Sequence, residues 1–129
     1  MDSGYSLEIL SFRATTENRG NNLESEATVK IKVGSIIRYE AGNGNSIIYA
    51  LFVALGKALL PSFPDLQNVC LDDWRIIASR KNVTALAVFS NGTDKWTAHG
   101  RACVNEVEAI FSALVDGFEE VIKKTACIF

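Results

Sequence analysis

The chain has 129 residues, of which 48% are hydrophobic and 22% charged, as expected for one globular domain with its own core. Its formal net charge of -2 argues against a surface for nucleic acid or an anionic membrane. The longest apolar run, at residues 47–55, is too short to span a bilayer.

The cysteines and the N-terminus bear on the cellular location. Cys70, Cys103 and Cys127 are odd in number and lack a metal-type spacing, which is typical of reduced thiols. The first residues contain neither the basic nor the apolar region of a signal peptide. We therefore expect a cytoplasmic protein.

Three strands are predicted in the first half of the chain. Residues 5–15 are rich in β-forming side chains, and a polar loop follows at 18–22. Residues 27–33 alternate apolar and polar side chains, and 36–40 form a third strand after a turn at Gly34. Gly42 and Gly44 then predict a tight turn with positive φ, which glycine adopts without steric cost.

A helix is predicted to begin at Asn45 or Ser46, both good N-cap residues, and to end before Pro61. The unpaired amides of such a helix start attract a carboxylate or phosphate, although an ordinary strand-to-helix turn has the same sequence. The helix is apolar nearly all round, so we expect a partner subunit or neighbouring domain to cover a second side.

The second half of the chain repeats this pattern after Pro61 and Pro64. Asn91-Gly92 predicts a hairpin turn, and Asn105 is suited to start the second helix. The predicted strands are 69–79, 84–90 and 95–100, and the predicted helix is 104–124.

The two halves also share spacings. The interval from Gly34 to Gly42 equals that from Gly92 to Gly100. We therefore predict an α/β fold, an α+β sandwich of two pseudo-symmetric βββα units packed together in a single domain. Repeat one covers about residues 5–60 and repeat two about 66–125, and two related helix starts would form a small-molecule site between them.

Residues for catalysis are scarce. His99 is the only histidine, and a structural or surface role suits it better than catalysis. Adjacent Asp72 and Asp73 are better explained as a solvated strand entry than as an acid/base pair. Cys103 precedes the second helix but has no nearby base, so we interpret it as a packing residue. The sequence predicts no metal, no cofactor and no enzyme activity of its own.

Three segments resemble one known family. Residues 42–59 resemble the Gly-x-Gly-Pro-Val-(Asp/Asn)-Ala-Leu segment of the C-terminal regulatory domain of 2-isopropylmalate synthase and citramalate synthase. Residues 63–76 are similar to that family's Pro-x-Leu…Leu-x-Asp-Tyr-x-Val segment, with Trp74 in the tyrosine position, and 104–116 are similar to its second helix. The resemblance covers nearly the whole chain in the right order.

This resemblance implies a homodimer that binds leucine or isoleucine, as a feedback inhibitor, near the dimer interface. It also implies that the partner catalytic TIM barrel, which condenses acetyl-CoA with a 2-oxo acid, is absent from this chain. The ligand-binding residues implied are Gly44, Asn45, Ser46, Ile48, Tyr49, Leu71, Trp74, Ala78, Ala87, Cys103, Val104 and Asn105.

The chain departs from the family pattern at two points. The proline after the second glycine is missing, and Tyr49 stands where Asp or Asn is common, so a partner for the ligand's ammonium is lost. Burying that ammonium without an acceptor would be costly. Either another acceptor, such as a backbone carbonyl or Asn105, replaces it, or this chain binds the ligand differently or not at all. The alternative function is a purely structural dimerisation domain, and a self-sufficient enzyme ranks third.

Overall fold

The computed structural model describes residues 6–20, 22–102 and 105–126, and its elements follow the order βββα twice. The first set is β1 (Leu7–Arg19), β2 (Asn22–Val33), β3 (Ile36–Gly44) and α1 (Ile47–Leu59). After a 3-10 helix at Pro64–Asn68, the second set is β4 (Cys70–Ala78), β5 (Val83–Ser90), β6 (Lys95–Ala102) and α2 (Glu106–Ala126). Each set of strands forms an antiparallel sheet, so the predicted α+β fold of two βββα units is confirmed.

The chain divides into two compact units between Pro64 and Asp65. The first unit contains β1, β2, β3 and α1, and it also takes in the last described residues of α2 from Lys123. The second unit is Asp65–Ile122. This boundary lies in the proline-containing segment that predicts a separation of the repeats, whereas the single domain stays a prediction.

Both strands of the first hairpin are longer than predicted. The segment at 18–22, expected to be a polar loop, contributes to β1 and β2, and Gly20 between them has a φ of +69°. Glu17 and Glu24 are exposed here, so these ends of the strands need no apolar alternation and their sequence does not show it. Tyr5 and Asn21, which fall in the predicted strand and loop, lie outside the described residues.

The predicted positive φ at Gly42 and Gly44 is wrong. Both glycines belong to β3, which runs past its predicted end at Glu40, and they pair with Ala27 and Ser25 of β2. A Cβ on Gly42 would lie 2.6 Å from the carbonyl oxygen of Ala50 and 2.5 Å from the amide nitrogen of Ala54. Close contact between the β3 backbone and α1 therefore requires this glycine.

Helix α1 begins and ends as predicted. Ser46 is its N-cap, and the Ser46 hydroxyl accepts a hydrogen bond from the Tyr49 amide at 3.2 Å. The opposite end is tied to β3, because Lys57 donates to the carbonyl of Ala41 at 3.0 Å. The buried side chains of the helix are Ile48, Ala50, Leu51, Ala54, Leu55, Ala58 and Leu59. The second covering surface for α1 stays a prediction.

Two charged side chains of the edge strand β3 lie on its α1-facing side. Arg38 pairs with Ile31 and Glu40 with Val29, and both aliphatic partners are fully buried. Within the described residues, Nε of Arg38 is buried without a hydrogen-bond partner. Inward-pointing charges on an edge strand oppose pairing with a further strand, because such pairing would remove them from water.

The second sheet follows the sequence prediction closely. Its strands and α2 begin and end within two residues of their predicted positions, although Val104, the predicted helix start, lies outside the described residues. The predicted turn at Asn91-Gly92 also forms: the Asn91 side chain accepts from the amides of Thr93 and Asp94 at 3.0 and 2.8 Å, and Gly92 has a φ of +92°.

Helix α2 lies against the second sheet at two glycines. A Cβ on Gly100 of β6 would collide with the backbone of Ala109 and Ala113, which repeats the contact between Gly42 and α1. A Cβ on Gly117 would overlap the ring of Phe89 on β5. Trp96 completes this contact by stacking on Phe89, with ring centroids 5.9 Å apart, and by donating its indole N–H to the Gly117 carbonyl at 3.0 Å.

Candidate functional site

The start of α1 brings together three of the predicted ligand residues. A Cβ on Gly44 would lie 2.9 Å from the Tyr49 ring, and Ser46 accepts the Tyr49 amide. Asn45 is exposed, and the Tyr49 side chain is 44% exposed. Ile48 differs from these residues, because it is 1% exposed and belongs to the buried core. This region therefore offers Tyr49, Asn45 and backbone groups to a ligand.

The helix cap also affects the predicted attraction of an anion. Ser46 already satisfies the Tyr49 amide, one of the donors at this end that lack a helical partner. An anion at this helix start would compete with the serine for that donor. The exposed Tyr49 ring lies 6.0 Å from the Phe52 ring, so the surface beside the cap is aromatic.

The predicted residues of the second sheet share one face. The strand register places Leu71 opposite Phe89, Trp74 opposite Ala87 and Ala78 opposite Val83. Trp74 is 43% exposed, Ala78 is exposed and Leu71 is half-buried. We call Leu71, Trp74, Ile76 and Ala78 the β4 strip.

Two further residues belong to this face. Ala87 is fully buried within its unit, and its contact with a ligand stays a prediction. Ile76 was not predicted, yet it lies between Trp74 and Ala78 and pairs with buried Ala85. The period-two spacing of Trp74, Ile76 and Ala78 was the signal that would have identified it.

At the start of α2, Asn105 serves as the helix cap. Its side-chain oxygen accepts hydrogen bonds from the amides of Val107 at 2.9 Å and Glu108 at 3.3 Å. Both lone pairs of this oxygen are thereby used, which leaves it poorly suited to replace the missing ammonium acceptor. Cys103 and Val104 lie outside the described residues.

A further concave site lies on the first sheet, away from the predicted residues. The cavity has a volume of about 160 Å³ and is lined by Arg13, Thr15, Glu26, Ala27 and Thr28 of β1 and β2. It offers a guanidinium, a carboxylate and two hydroxyl groups. Sequence reasoning missed these residues, because their proximity depends on the pairing register of the two strands.

The described residues contain no group of three or more His, Cys, Asp or Glu side chains arranged to hold a metal ion. His99 and Cys70 are both exposed on the second sheet. Asp72 forms an ion pair with Lys95 at 3.7 Å, and Asp73 accepts a hydrogen bond from the Trp74 amide at 2.8 Å. The two carboxylates therefore have structural partners at the start of β4. Neither helix, over its described residues, has the length and hydropathy needed to span a bilayer.

Known proteins similar to this chain are citramalate synthases. The chain is 33% identical over 126 residues to the (R)-citramalate synthase of Geobacter sulfurreducens, a match covering 92% of the chain and 24% of the relative. It is 31% identical over 107 residues to that of Synechocystis sp., covering 78% and 19% of the two chains. For Aquifex aeolicus, the identity is 34% over 98 residues, covering 71% and 18%.

No protein-family model matches the chain. The chain spans about a quarter or less of the length of the curated relatives described above. These similarities to several (R)-citramalate synthases agree with the resemblance carried by residues 42–59, 63–76 and 104–116. The chain therefore belongs to the citramalate synthase family, as a segment consistent with its C-terminal regulatory domain.

Proposed function

We propose that this chain is the allosteric regulatory domain of an acetyl-CoA-dependent 2-oxo acid acyltransferase, a citramalate or 2-isopropylmalate synthase. It binds a branched-chain amino acid, leucine or isoleucine, as the feedback inhibitor at a homodimer interface. The observation that carries this proposal is that a chain with two βββα units matches several citramalate synthases over less than a quarter of their length. Catalysis would belong to the remaining part of such an enzyme.

The mechanism is a shift between two arrangements of the dimer. An amino acid that binds one arrangement more tightly increases the population of that arrangement and so biases the attached catalytic domain. The β4 strip supports the proposal, because an indole that is 43% exposed beside aliphatic residues suits the side chain of a branched amino acid. The exposed Tyr49 at the start of α1 provides a second apolar surface.

The proposal is tested by thermal unfolding of the chain with leucine, isoleucine, valine and methionine, together with its mass in solution. An amino acid at a hundred times its dissociation constant should stabilise the folded state by about 2.7 kcal/mol, which raises Tm by several degrees. We expect such a shift for leucine or isoleucine in a dimer. A dimer that responds to none of the four amino acids would contradict sensing.

Trp74→Ala distinguishes the β4 strip from the rest of the surface. Because Trp74 is 43% exposed on an edge strand, its removal should preserve the fold while reducing the shift produced by the amino acid. Ile77→Ala is the matched control, since Ile77 is 47% exposed on the other side of the same strand. Equal shifts in both variants would place the amino acid away from the β4 strip.

A purely structural homodimerisation domain is the second candidate. The observation in its favour is the exposed apolar surface of β3, where Ile36, Ile37 and Tyr39 are 51%, 56% and 61% exposed. Side chains of this kind are enriched at the centres of protein interfaces. This function predicts a stable dimer without any response to amino acids.

A further inference from the structure

Two Asn-Gly pairs occur in the sequence, and the structure places them in different backbone environments. Asn43-Gly44 belongs to β3, where Gly44 pairs with Ser25 of β2. Asn91-Gly92 lies in the turn between β5 and β6. The same dipeptide is therefore part of an extended strand in one unit and part of a tight turn in the other.

The Asn91 side chain is held in its turn by the main chain. Its oxygen Oδ1 accepts hydrogen bonds from the amides of Thr93 at 3.0 Å and Asp94 at 2.8 Å. Gly92 is exposed with a φ of +92°, and a Cβ added to it would meet no described atom within 4 Å beyond its two chain neighbours. The turn therefore leaves room beside the peptide that follows Asn91.

This arrangement suits attack of the Gly92 nitrogen on the side-chain amide of Asn91. The Gly92 nitrogen gives up its proton to solvent and forms a bond to Cγ of Asn91, which closes a five-membered ring. Negative charge develops on Oδ1 in the tetrahedral intermediate, where the Thr93 and Asp94 amides already donate at distances typical of an oxyanion hole. The bond from Cγ to Nδ2 then breaks, and the side-chain nitrogen leaves as ammonia.

We propose that Asn91 is a site of spontaneous covalent modification, a deamidation through a cyclic succinimide with water as the only co-reactant. Water that attacks Cγ breaks its bond to the Gly92 nitrogen and gives aspartate. Water that attacks the main-chain carbonyl of residue 91 gives isoaspartate instead. Either product adds one negative charge to the turn, and isoaspartate also adds one carbon to the main chain. The inference is independent of amino-acid sensing.

Asn43-Gly44 should resist the same reaction. Ring closure brings Cγ of the asparagine onto the next backbone nitrogen, and the main chain must rotate to allow it. β3 is held in register by β2, and a Cβ on Gly44 would already lie 2.9 Å from the Tyr49 ring. The strand cannot make this rotation without breaking hydrogen bonds of the ladder. Asn43 is therefore an internal control for Asn91.

The modified turn should alter the second sheet, because the turn joins β5 to β6. Trp96 of β6 stacks on Phe89 of β5 and donates to the carbonyl of Gly117. An extra main-chain carbon in a short hairpin loop changes the register that the loop imposes on its strands. Isoaspartate should therefore weaken the contact of Trp96, whereas aspartate retains an oxygen that accepts from the same two amides.

The test follows the purified chain during storage at neutral pH by digestion and mass spectrometry, in buffer and in urea that unfolds it. In urea the two asparagines should react at similar rates, because glycine follows both. In buffer, Asn43 should react at least tenfold more slowly than in urea, and Asn91 at least as fast. Both aspartate and isoaspartate should form at position 91, since only the ring gives both. Slowing of Asn91 to the rate of Asn43 in buffer, or aspartate as the only product, would overturn the proposal.

Three substitutions complete the design. Asn91→Gln should abolish the product at this turn, because the longer side chain would have to close a larger ring, and Asn43→Gln should leave that product unchanged. Asn91→Asp should keep the Tm of the fresh chain, while stored chain rich in isoaspartate should unfold at a lower temperature. A stored chain with the Tm of Asn91→Asp would contradict the expected effect on the second sheet.

Discussion

Single glycines determine how closely the helices approach the strands. Gly42 has no side chain between β3 and α1, and an added Cβ would lie within 2.6 Å of the backbone of Ala50 and Ala54. Backbone atoms cannot move aside as the end of a flexible side chain can. The contact of Gly100 with Ala109 and Ala113 is equivalent, so both units depend on glycine at the same place.

Gly42→Ala should therefore lower the free energy of unfolding by about 1–3 kcal/mol, the usual cost of overpacking a well-packed contact. The measurement is urea denaturation with the slope of the transition compared between variants. Asn43→Ala is the control, because Asn43 is the next residue of β3 and is exposed. Its effect should stay within about 0.5 kcal/mol. Equal effects of the two substitutions would mean that α1 does not lie against Gly42.

Gly117→Ala is a test in which helix propensity and side-chain packing should change the free energy of unfolding in opposite directions. Alanine in the interior of a helix is favoured over glycine by about 1 kcal/mol. At this position, however, the new Cβ would overlap the ring of Phe89, so we expect net destabilisation of about 1–3 kcal/mol.

The contact itself is tested in a double-mutant cycle with Phe89→Leu. The smaller side chain should remove most of the cost of Gly117→Ala, because the overlapping ring atoms are gone. Unfolding in urea gives the four free energies of the cycle. A stabilising Gly117→Ala in the unmodified chain would contradict the described contact.

At the scale of whole elements, each helix begins at a side-chain cap that the sequence predicts. Ser46 accepts one amide hydrogen bond and Asn105 accepts two, and each would leave amides without a protein partner if replaced by alanine. These hydrogen bonds fix the residue at which each strand-to-helix connection ends. The caps therefore position Tyr49 on α1 and the first turn of α2.

Ser46→Ala and Asn105→Ala should each lower the free energy of unfolding by about 1 kcal/mol. Ser46→Asp and Asn105→Asp retain an oxygen at the cap and should have at least the original stability, since a negative charge is also favourable at a helix start. Thermal unfolding measures all four variants. Aspartate variants as unstable as the alanine variants would contradict the capping role.

The edge strands β1 and β4 contain bulges that the alternation of apolar and polar residues does not predict. β1 contains a register shift between Ile9 and Ser11, and β4 contains one between Leu71 and Asp73. Beyond such a bulge, every side chain of the strand changes face relative to simple alternation. Arg13 reaches the outer face of the first sheet for this reason, so alternation alone would have placed it inside.

At the scale of the whole chain, the repeated order of elements could be predicted from the sequence. Glycines at equal intervals, two cap residues and two helical stretches with apolar faces give the order βββα twice, because each is a local signal. The role of Gly42 could not be predicted, since a glycine needed for a turn and one needed for close contact look the same in a sequence. The candidate sites differ in the same respect. The choice of Trp74 follows from the family resemblance, whereas the cavity beside Arg13 could be found only from the pairing of β1 with β2.

The inward charges of β3 have a consequence for association between molecules. An edge strand with exposed Ile36, Ile37 and Tyr39 would ordinarily favour pairing with strands of further molecules, and so aggregation. Arg38 and Glu40 make each such addition unfavourable, because the incoming strand would strip water from them. The edge of β3 is therefore protected against the addition of a further strand, while its exposed apolar side chains remain accessible to a partner.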